Sequence, residues 1–153
     1  MKNELDELDK SILRLLQNDG TLSFKQIGAM LKKSPTTIFG RIRKLRKKAA
    51  ILHTRALLNG KLLGFGITGY IYLKVFNHSG ANMELFKSSL LQIKGVCGCT
   101  SITGQNSMKI KIAAIDPISF NLIKDKIAAL QDVSVVDSYV ELQEIIPDKG
   151  FDF

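Results

Sequence analysis

The sequence predicts an α+β protein, with an N-terminal winged helix-turn-helix unit followed by a C-terminal ferredoxin-like βαββαβ unit. Three observations lead there. All the excess positive charge lies at one end of the chain. The first fifty or so residues carry apolar stripes at helical spacing, separated by capping signals. The rest alternates strand and helix patterns twice over.

The chain has 153 residues, 45% hydrophobic and 24% charged, which is the composition of a globular protein of one or two small domains. Its net charge is +8 and its pI about 9.6, so an anionic partner is expected. Residues 1–60 hold 13 Lys and Arg against 5 Asp and Glu, while residues 61–153 hold 9 of each. The asymmetry divides the chain into a basic and a neutral module. The expected boundaries are 1–52 for the helix-turn-helix, 53–65 for a linking strand and turn, 66–146 for the ferredoxin-like domain and 147–153 for a tail. The acid-rich start does not read as a signal peptide. No apolar run reaches the roughly 18 residues of a membrane helix. The expectation is a cytoplasmic, nucleoid-associated protein with no membrane partner.

In the basic module, Leu5, Leu8, Ile12, Leu15 and Leu16 form one helical stripe, stopped by Asn18-Asp19-Gly20. Ser23 and Gln26 fit a capping box, in which each side chain satisfies an orphan amide. The helix they open turns Ile27, Met30 and Leu31 inward, and Lys32-Lys33 is a break. Ser34 and Pro35 read as N-cap and first residue of a third helix, running to about Lys47. Ile38, Ile42 and Leu45 make its buried face. Thr36, Gly40, Arg43, Lys44 and Lys47 project from the opposite side. Thr37, Phe39, Arg41, Arg46 and Lys48 flank them. From Lys32 to Ala49, 8 of 18 residues are Lys or Arg and none is acidic. A basic run alone is usually a solvated surface; helix order, caps and segregated charge together indicate DNA binding.

The candidate DNA-binding residues are therefore Ser34, Thr36, Thr37, Phe39, Gly40, Arg41, Arg43, Lys44, Lys47 and Lys48. Residues in the first turns of such a helix reach base edges in the major groove, with Thr36, Thr37, Gly40 and Arg43 as readers. Lys44, Lys47 and Lys48 would neutralise phosphates. Phe39 would either pack at the helix edge or touch a thymine methyl. Ala50 to Leu58 reads as a strand forming a small wing, with Asn59-Gly60 as a hairpin turn.

This half of the chain resembles the Lrp/AsnC family of feast-or-famine transcription regulators. The resemblance rests on LDELDKSILRLLQNDG (Leu5–Gly20), on SFKQIGAMLKKSPTTIFGRIRKL (Ser23–Leu45), and on Ile51 and Leu63-Gly64. The family opens with L-D-x-x-D-x-x-I-L-x-x-L-Q-x-D-G, matched by Leu5, Asp6, Asp9, Ile12, Leu13, Leu16, Gln17, Asp19 and Gly20. Its S-x-x-T-V-x-x-R-V-x-x-L is matched by Ser34, Thr37, Ile38, Arg41, Ile42 and Leu45. The family commonly has Arg where this chain has Thr21, and Gly where it has Ala50. The resemblance also implies that Asn59–Leu63 is a linker turn.

In the neutral module, Gly64-Phe65-Gly66-Ile67-Thr68-Gly69 spells G-x-G-x-x-G. A dinucleotide fingerprint must follow a strand and open a helix, whereas this one precedes the strand pattern Tyr70–Val75, so the glycines read as structural. Strands are expected at Ile67–Phe76, Val96–Thr103, Met108–Ala114 and Val133–Ile145. Helices are expected at Asn82–Ile93 and from Asp116-Pro117 onward, carrying Phe120, Ile123, Ile127 and Leu130. Cys97-Gly98-Cys99 reads as a buried pair of reduced thiols, since His53 and His78 complete no metal-ligand spacing with them. No cofactor or metal is expected.

In the resembled family the second domain assembles dimers and binds small molecules. The resemblance thus implies a homodimer, built up to a tetramer or octamer, on double-stranded DNA, with an amino acid or other small molecule as effector. The candidate effector residues are Thr103, Gly104, Gln105, Asn106, Ser107 and Ser138. The family often reads T-G-x-x-D at this loop, and Thr103–Ser107 lacks the carboxylate. An ammonium pairs less strongly with neutral groups, so an altered effector or none is expected. No catalytic ordering of Ser, His and Asp stands out, and the protein is not expected to be an enzyme. Two alternatives remain: sequence-tolerant DNA compaction by the lysines, and the sirohaem decarboxylases, which resemble the same two-domain fold.

Overall fold

The computed structural model describes residues 5–153. They form two compact units: one runs to Leu57 and takes in Ile146–Phe153, and the other is Leu58–Ile145.

The first unit holds three helices, α1 (Glu7–Asn18), α2 (Phe24–Leu31) and α3 (Pro35–Lys47). Each start is capped by a short polar side chain accepting the third helical amide: Asp6 from Asp9, Ser23 from Gln26, Ser34 from Thr37. At Ser23 the capping box closes, because its backbone N–H donates to Gln26 Oε1 at 2.9 Å. Ile12, Ile27, Ile38, Ile42 and Leu45 are buried at the centre. Each such side chain contributes about 1.5–3 kcal/mol relative to exposure. Met30, expected inward, is 57% exposed. Gly28 is buried in its place, because the backbone of the turn into α3 passes there too closely for a side chain. A Cβ on Gly28 would meet Lys33 O at 2.6 Å.

The break at Lys32-Lys33 is a left-handed helix cap. Lys32 has φ 54°, its N–H donates to Ala29 O, and Lys33 N–H donates to Gly28 O at 2.9 Å. The end of α3 repeats the motif. Ala49 has φ 56°, Ala49 N–H donates to Arg46 O and Ala50 N–H to Leu45 O. The position that favours glycine is therefore Ala49 rather than Ala50. Thr21, where the family commonly has Arg, turns onto Asp19: its N–H and hydroxyl both donate to Asp19 Oδ1, at 2.8 and 2.6 Å.

The expected wing is absent among the described residues. No strand lies between α3 and Ile67. A strand needs a partner for its amides. Leu52, Leu57 and Leu58 stand 80%, 92% and 68% exposed, while Ile51 packs on the helical core. Asn59–Leu63 is a turn, held by Asn59 Oδ1 accepting from the N–H of Lys61 at 3.0 Å. Residues 147–153, expected as a bare tail, lie against α1. Gln17 Nε2 donates to Phe151 O, Phe151 N–H donates back to Gln17 Oε1, and Arg14 Nε donates to Phe153 O.

The second unit runs β1 (Ile67–Val75), α4 (Gly80–Gln92), β2 (Val96–Ser101), β3 (Met108–Ala114), α5 (Pro117–Ala128) and β4 (Val133–Val140). The sheet order is β2-β3-β1-β4, with every neighbouring pair antiparallel, which is the ferredoxin-like arrangement. Alternation sorts the faces. Ile71, Leu73 and Val75 of β1 and Met108, Ile110 and Ile112 of β3 turn toward α4 and α5. Phe86 and Leu90 from α4 and Phe120, Ile123 and Ile127 from α5 close that core. Tyr70, Tyr72, Lys109 and Lys111 take the other face. The last strand stops at Val140, short of the expected Ile145, because only one further ladder bond follows, Glu141 N–H to Thr68 O. The G-x-G-x-x-G stretch is structural: at Gly66 a Cβ would meet Ile115 O at 2.5 Å.

The two cysteines correct the expectation of burial. Both are exposed, because β2 is an edge strand and its register with β3 shifts between Val96 and Gly98. That bulge carries Cys97 out of the regular alternation.

Candidate functional site

The outer face of α3 is built by its N-cap and its buried stripe. Ser34 Oγ accepts from Thr37 N–H at 3.1 Å and lies 2.9 Å from Thr36 Oγ1 and 2.8 Å from Thr37 Oγ1. Three hydroxyls thus cluster at the exposed start of the helix. Ile38, Ile42 and Leu45, at most 2% exposed, fix the helix rotation. That rotation turns Arg43, Lys44 and Lys47 outward, and Lys48 follows at the helix end, all four exposed. Nothing lies within 4 Å of the position a Cβ would take on Gly40, so the backbone there is open to close approach.

Two candidates sit differently from the expectation. Arg41 Nη1 donates to Asp6 Oδ2, and to Asp9 Oδ1 at 3.1 Å. Asp9 is a buried carboxylate, 8% exposed, so the pair answers a charge that would otherwise be stranded. Arg41 is a brace between α3 and α1, with its guanidinium committed inside the unit. The Asp9 amide and the Arg41 guanidinium hold the Asp6 carboxyl below its ordinary value, and the two carboxylates raise Arg41. The sequence carried a signal for this: Asp6 and Asp9 are three apart at a helix start, where both reach one partner. Phe39, 50% exposed, packs edge-on against Phe24 with centroids 5.4 Å apart and planes at 65°.

The loop after β2 holds the candidate effector residues. Ser107 is anchored: its N–H donates to Leu73 O at 2.9 Å and its carbonyl accepts from Ile102 N–H. Gly104 is left-handed at φ 113°, and Thr103 and Gln105 are exposed beside it. Asn106 reaches the open face of the sheet, where it lines a hollow of about 320 Å³ with Tyr70, Tyr72, Asp137 and Tyr139. Asn106 Oδ1 is buried there without a partner among the described residues. Tyr72 and Tyr139 meet edge to face at 5.6 Å.

Ser138 pairs with Ile71 and so belongs to the helix-covered face of the sheet. The structure does not bring it together with Asn106. Asp137 takes its place: the register opposes it to Tyr72 on the open face. A carboxylate, absent from the loop, thus stands in the same hollow from β4. Only strand register reveals this, since Asp137 and Asn106 are 31 positions apart. His53 and His78 are exposed, and neither lines the Asn106 hollow.

Residues 5–46 match the AsnC-type helix-turn-helix domain, and residues 68–151 match the Lrp/AsnC ligand binding domain. The chain belongs to the Lrp/AsnC family. It is a DNA-binding transcription regulator with a ligand-binding domain, as its Lrp/AsnC domains require. Similar proteins include the HTH-type transcriptional regulator FL11 of Pyrococcus horikoshii, 29% identical over 94% of this chain and 93% of that one. The proline dehydrogenase transcriptional activator of Rhizobium radiobacter is 28% identical over 94% and 92%. The same fold is seen in the feast or famine regulatory protein of M. tuberculosis complexed with L-methionine, with a TM-score of 0.87 at 18% identity, over 97% and 99% of the chains. Among the described residues of this Lrp/AsnC chain, no helix is long and apolar enough to cross a membrane.

Proposed function

We propose that this Lrp/AsnC regulator reads its DNA sequence through the outer face of α3. Ser34, Thr36, Thr37, Gly40 and Arg43 meet base edges, and Lys44, Lys47 and Lys48 meet phosphates. The observation that carries the reading is the segregation on that one helix. The apolar stripe is buried, the hydroxyls cluster at the first turn and the cations stand exposed beyond them, with Arg41 withdrawn as a brace. Two copies, as a dimer or a larger assembly, would set paired α3 helices into successive major grooves about 34 Å apart. Such a protein works in the cytoplasm, at the nucleoid. This reading is preferred to sequence-tolerant compaction because the hydroxyl cluster and open Gly40 suit base contact. The sirohaem-decarboxylase alternative finds no support in the family matches.

The test compares Arg43→Ala with Lys47→Ala in binding assays across DNA sequences and salt. Arg43→Ala is expected to cost about 1–3 kcal/mol on the cognate site alone. Lys47→Ala is expected to weaken every sequence and flatten the salt slope by about one. Equal, sequence-blind losses from both would overturn the reading.

The hollow beneath Asn106 is the proposed effector seat, and it supports a small molecule carrying an amine. Asp137 with Asn106 Oδ1 supplies acceptors and Tyr72 and Tyr139 supply aromatic faces, while Tyr70 already has Lys109 and Lys111 over its ring. The M. tuberculosis relative was solved with L-methionine, which has such an amine. Calorimetry with the common amino acids is expected to find one that binds the wild type. Its affinity should fall about tenfold or more in Asp137→Asn. Unchanged binding in that variant would move the seat elsewhere.

A further inference from the structure

A second cavity, separate from the Asn106 hollow, lies between α4 and the edge strand β2 and measures about 440 Å³. Its walls are mostly apolar, with Phe86, Leu90 and Val96 among them beside the charged Glu84 and Lys87, and it is rich in sulfur. Both cysteines of the chain and two of its four methionines, Met83 and Met108, line it. The arrangement follows from the register. Cys99 pairs with Ile110 and Ser101 with Met108, so Cys99 and Met108 share the helix-covered face of neighbouring strands. The bulge between Val96 and Gly98 re-aims Cys97 into the same space, and Met83 reaches it from α4, one turn before Phe86.

We propose that this cavity binds one copper(I) ion through the thiolates of Cys97 and Cys99, completed by the thioether of Met108 or Met83. Thiolate and thioether donors are soft and select copper(I), which accepts two or three of them. Zinc takes Cys, His and carboxylate ligands, four in a structural site. Among the described residues no group of three His, Cys, Asp or Glu gathers anywhere. The donors here therefore suit copper(I) and not zinc. On binding, each thiol releases its proton to solvent as its sulfur takes the metal, and no electron is exchanged. The site then carries one net negative charge, beside an ion pair on the cavity wall between Lys87 and Glu84, 3.7 Å apart.

The test is an anaerobic titration of the reduced full-length protein with copper(I) against a chromophoric chelator, followed by X-ray absorption at the copper edge. One ion per chain is expected to be retained, in a low-coordinate, sulfur-only shell. Cys97→Ser and Cys99→Ser should each weaken retention more than about tenfold. Leucine nearly conserves the volume of methionine, so Met108→Leu and Met83→Leu should fold. One of the two should lose a sulfur from the copper shell. Retention no better in the wild type than in the double serine variant would overturn the site. So would an unchanged sulfur count in both leucine variants, which would mean thiolate binding outside the cavity. Neither readout involves DNA, so failure here leaves the regulator assignment untouched, and the converse.

Discussion

Gly40 and Ala49 show how one residue can set stability against function. Gly40 sits inside α3, where glycine costs roughly 0.5–1 kcal/mol relative to alanine. Nothing occupies the space a methyl would fill. Gly40→Ala is expected to stabilise the protein by about that amount, measured by thermal unfolding, while lowering affinity for cognate DNA. A gain in both would mean that DNA does not approach this backbone. Ala49 has the opposite problem, being left-handed at φ 56° with a side chain. Ala49→Gly is expected to raise stability by about 0.5–1 kcal/mol, after allowing for the larger unfolded-state entropy of glycine. DNA affinity should stay the same, because the change adds no group to the outer face of α3.

Helices and strands are where local sequence and structure agree most closely. Ser34-Pro35 opened α3 where expected and Lys47 closed it, since caps and apolar spacing are local signals. The four strands started at Ile67, Val96, Met108 and Val133 as their patterns indicated. Strand ends were less legible. Val140 ends β4 because pairing runs out, and no composition change marks that point. The wing failed for the same reason: Ala50–Leu58 has strand-like residues but no strand partner among the described residues. Helix starts also carry a pH dependence. Asp6 and Asp116 accept from the third amide of α1 and α5, and Asp19 accepts from the Thr21 hydroxyl and amide. All three carboxyls are held below their ordinary value, by the Asp9 amide, the Ser119 amide and the Thr21 hydroxyl respectively. A carboxyl depressed in the folded state binds its proton more readily when unfolded. Its contribution is therefore whole above the unfolded value and is lost as pH falls through the folded one. The melting temperature is expected to hold from neutral pH down to about 4 and to drop below it. Asp6→Asn should make that drop shallower.

For the whole molecule, the division of labour follows the charge. The basic excess of residues 1–60 lies in the unit that carries α3, and the nearly neutral Leu58–Ile145 forms the sheet unit with its two hollows. Composition and periodicity were enough to establish the two-part α+β plan, the three helices, the buried stripes and the basic face. Each depends on residues within a few positions of one another. Folding decided which cation answers Asp6 and Asp9, making Arg41 a brace across 35 positions to Asp6. It also decided that Asp137 rather than Ser138 joins Asn106, and that four sulfurs from α4, β2 and β3 line one cavity. These outcomes rest on register, a bulge and helix crossing, which pair residues far apart in the chain. Periodicity cannot encode such pairings, because it says which face a residue takes and not what it meets there.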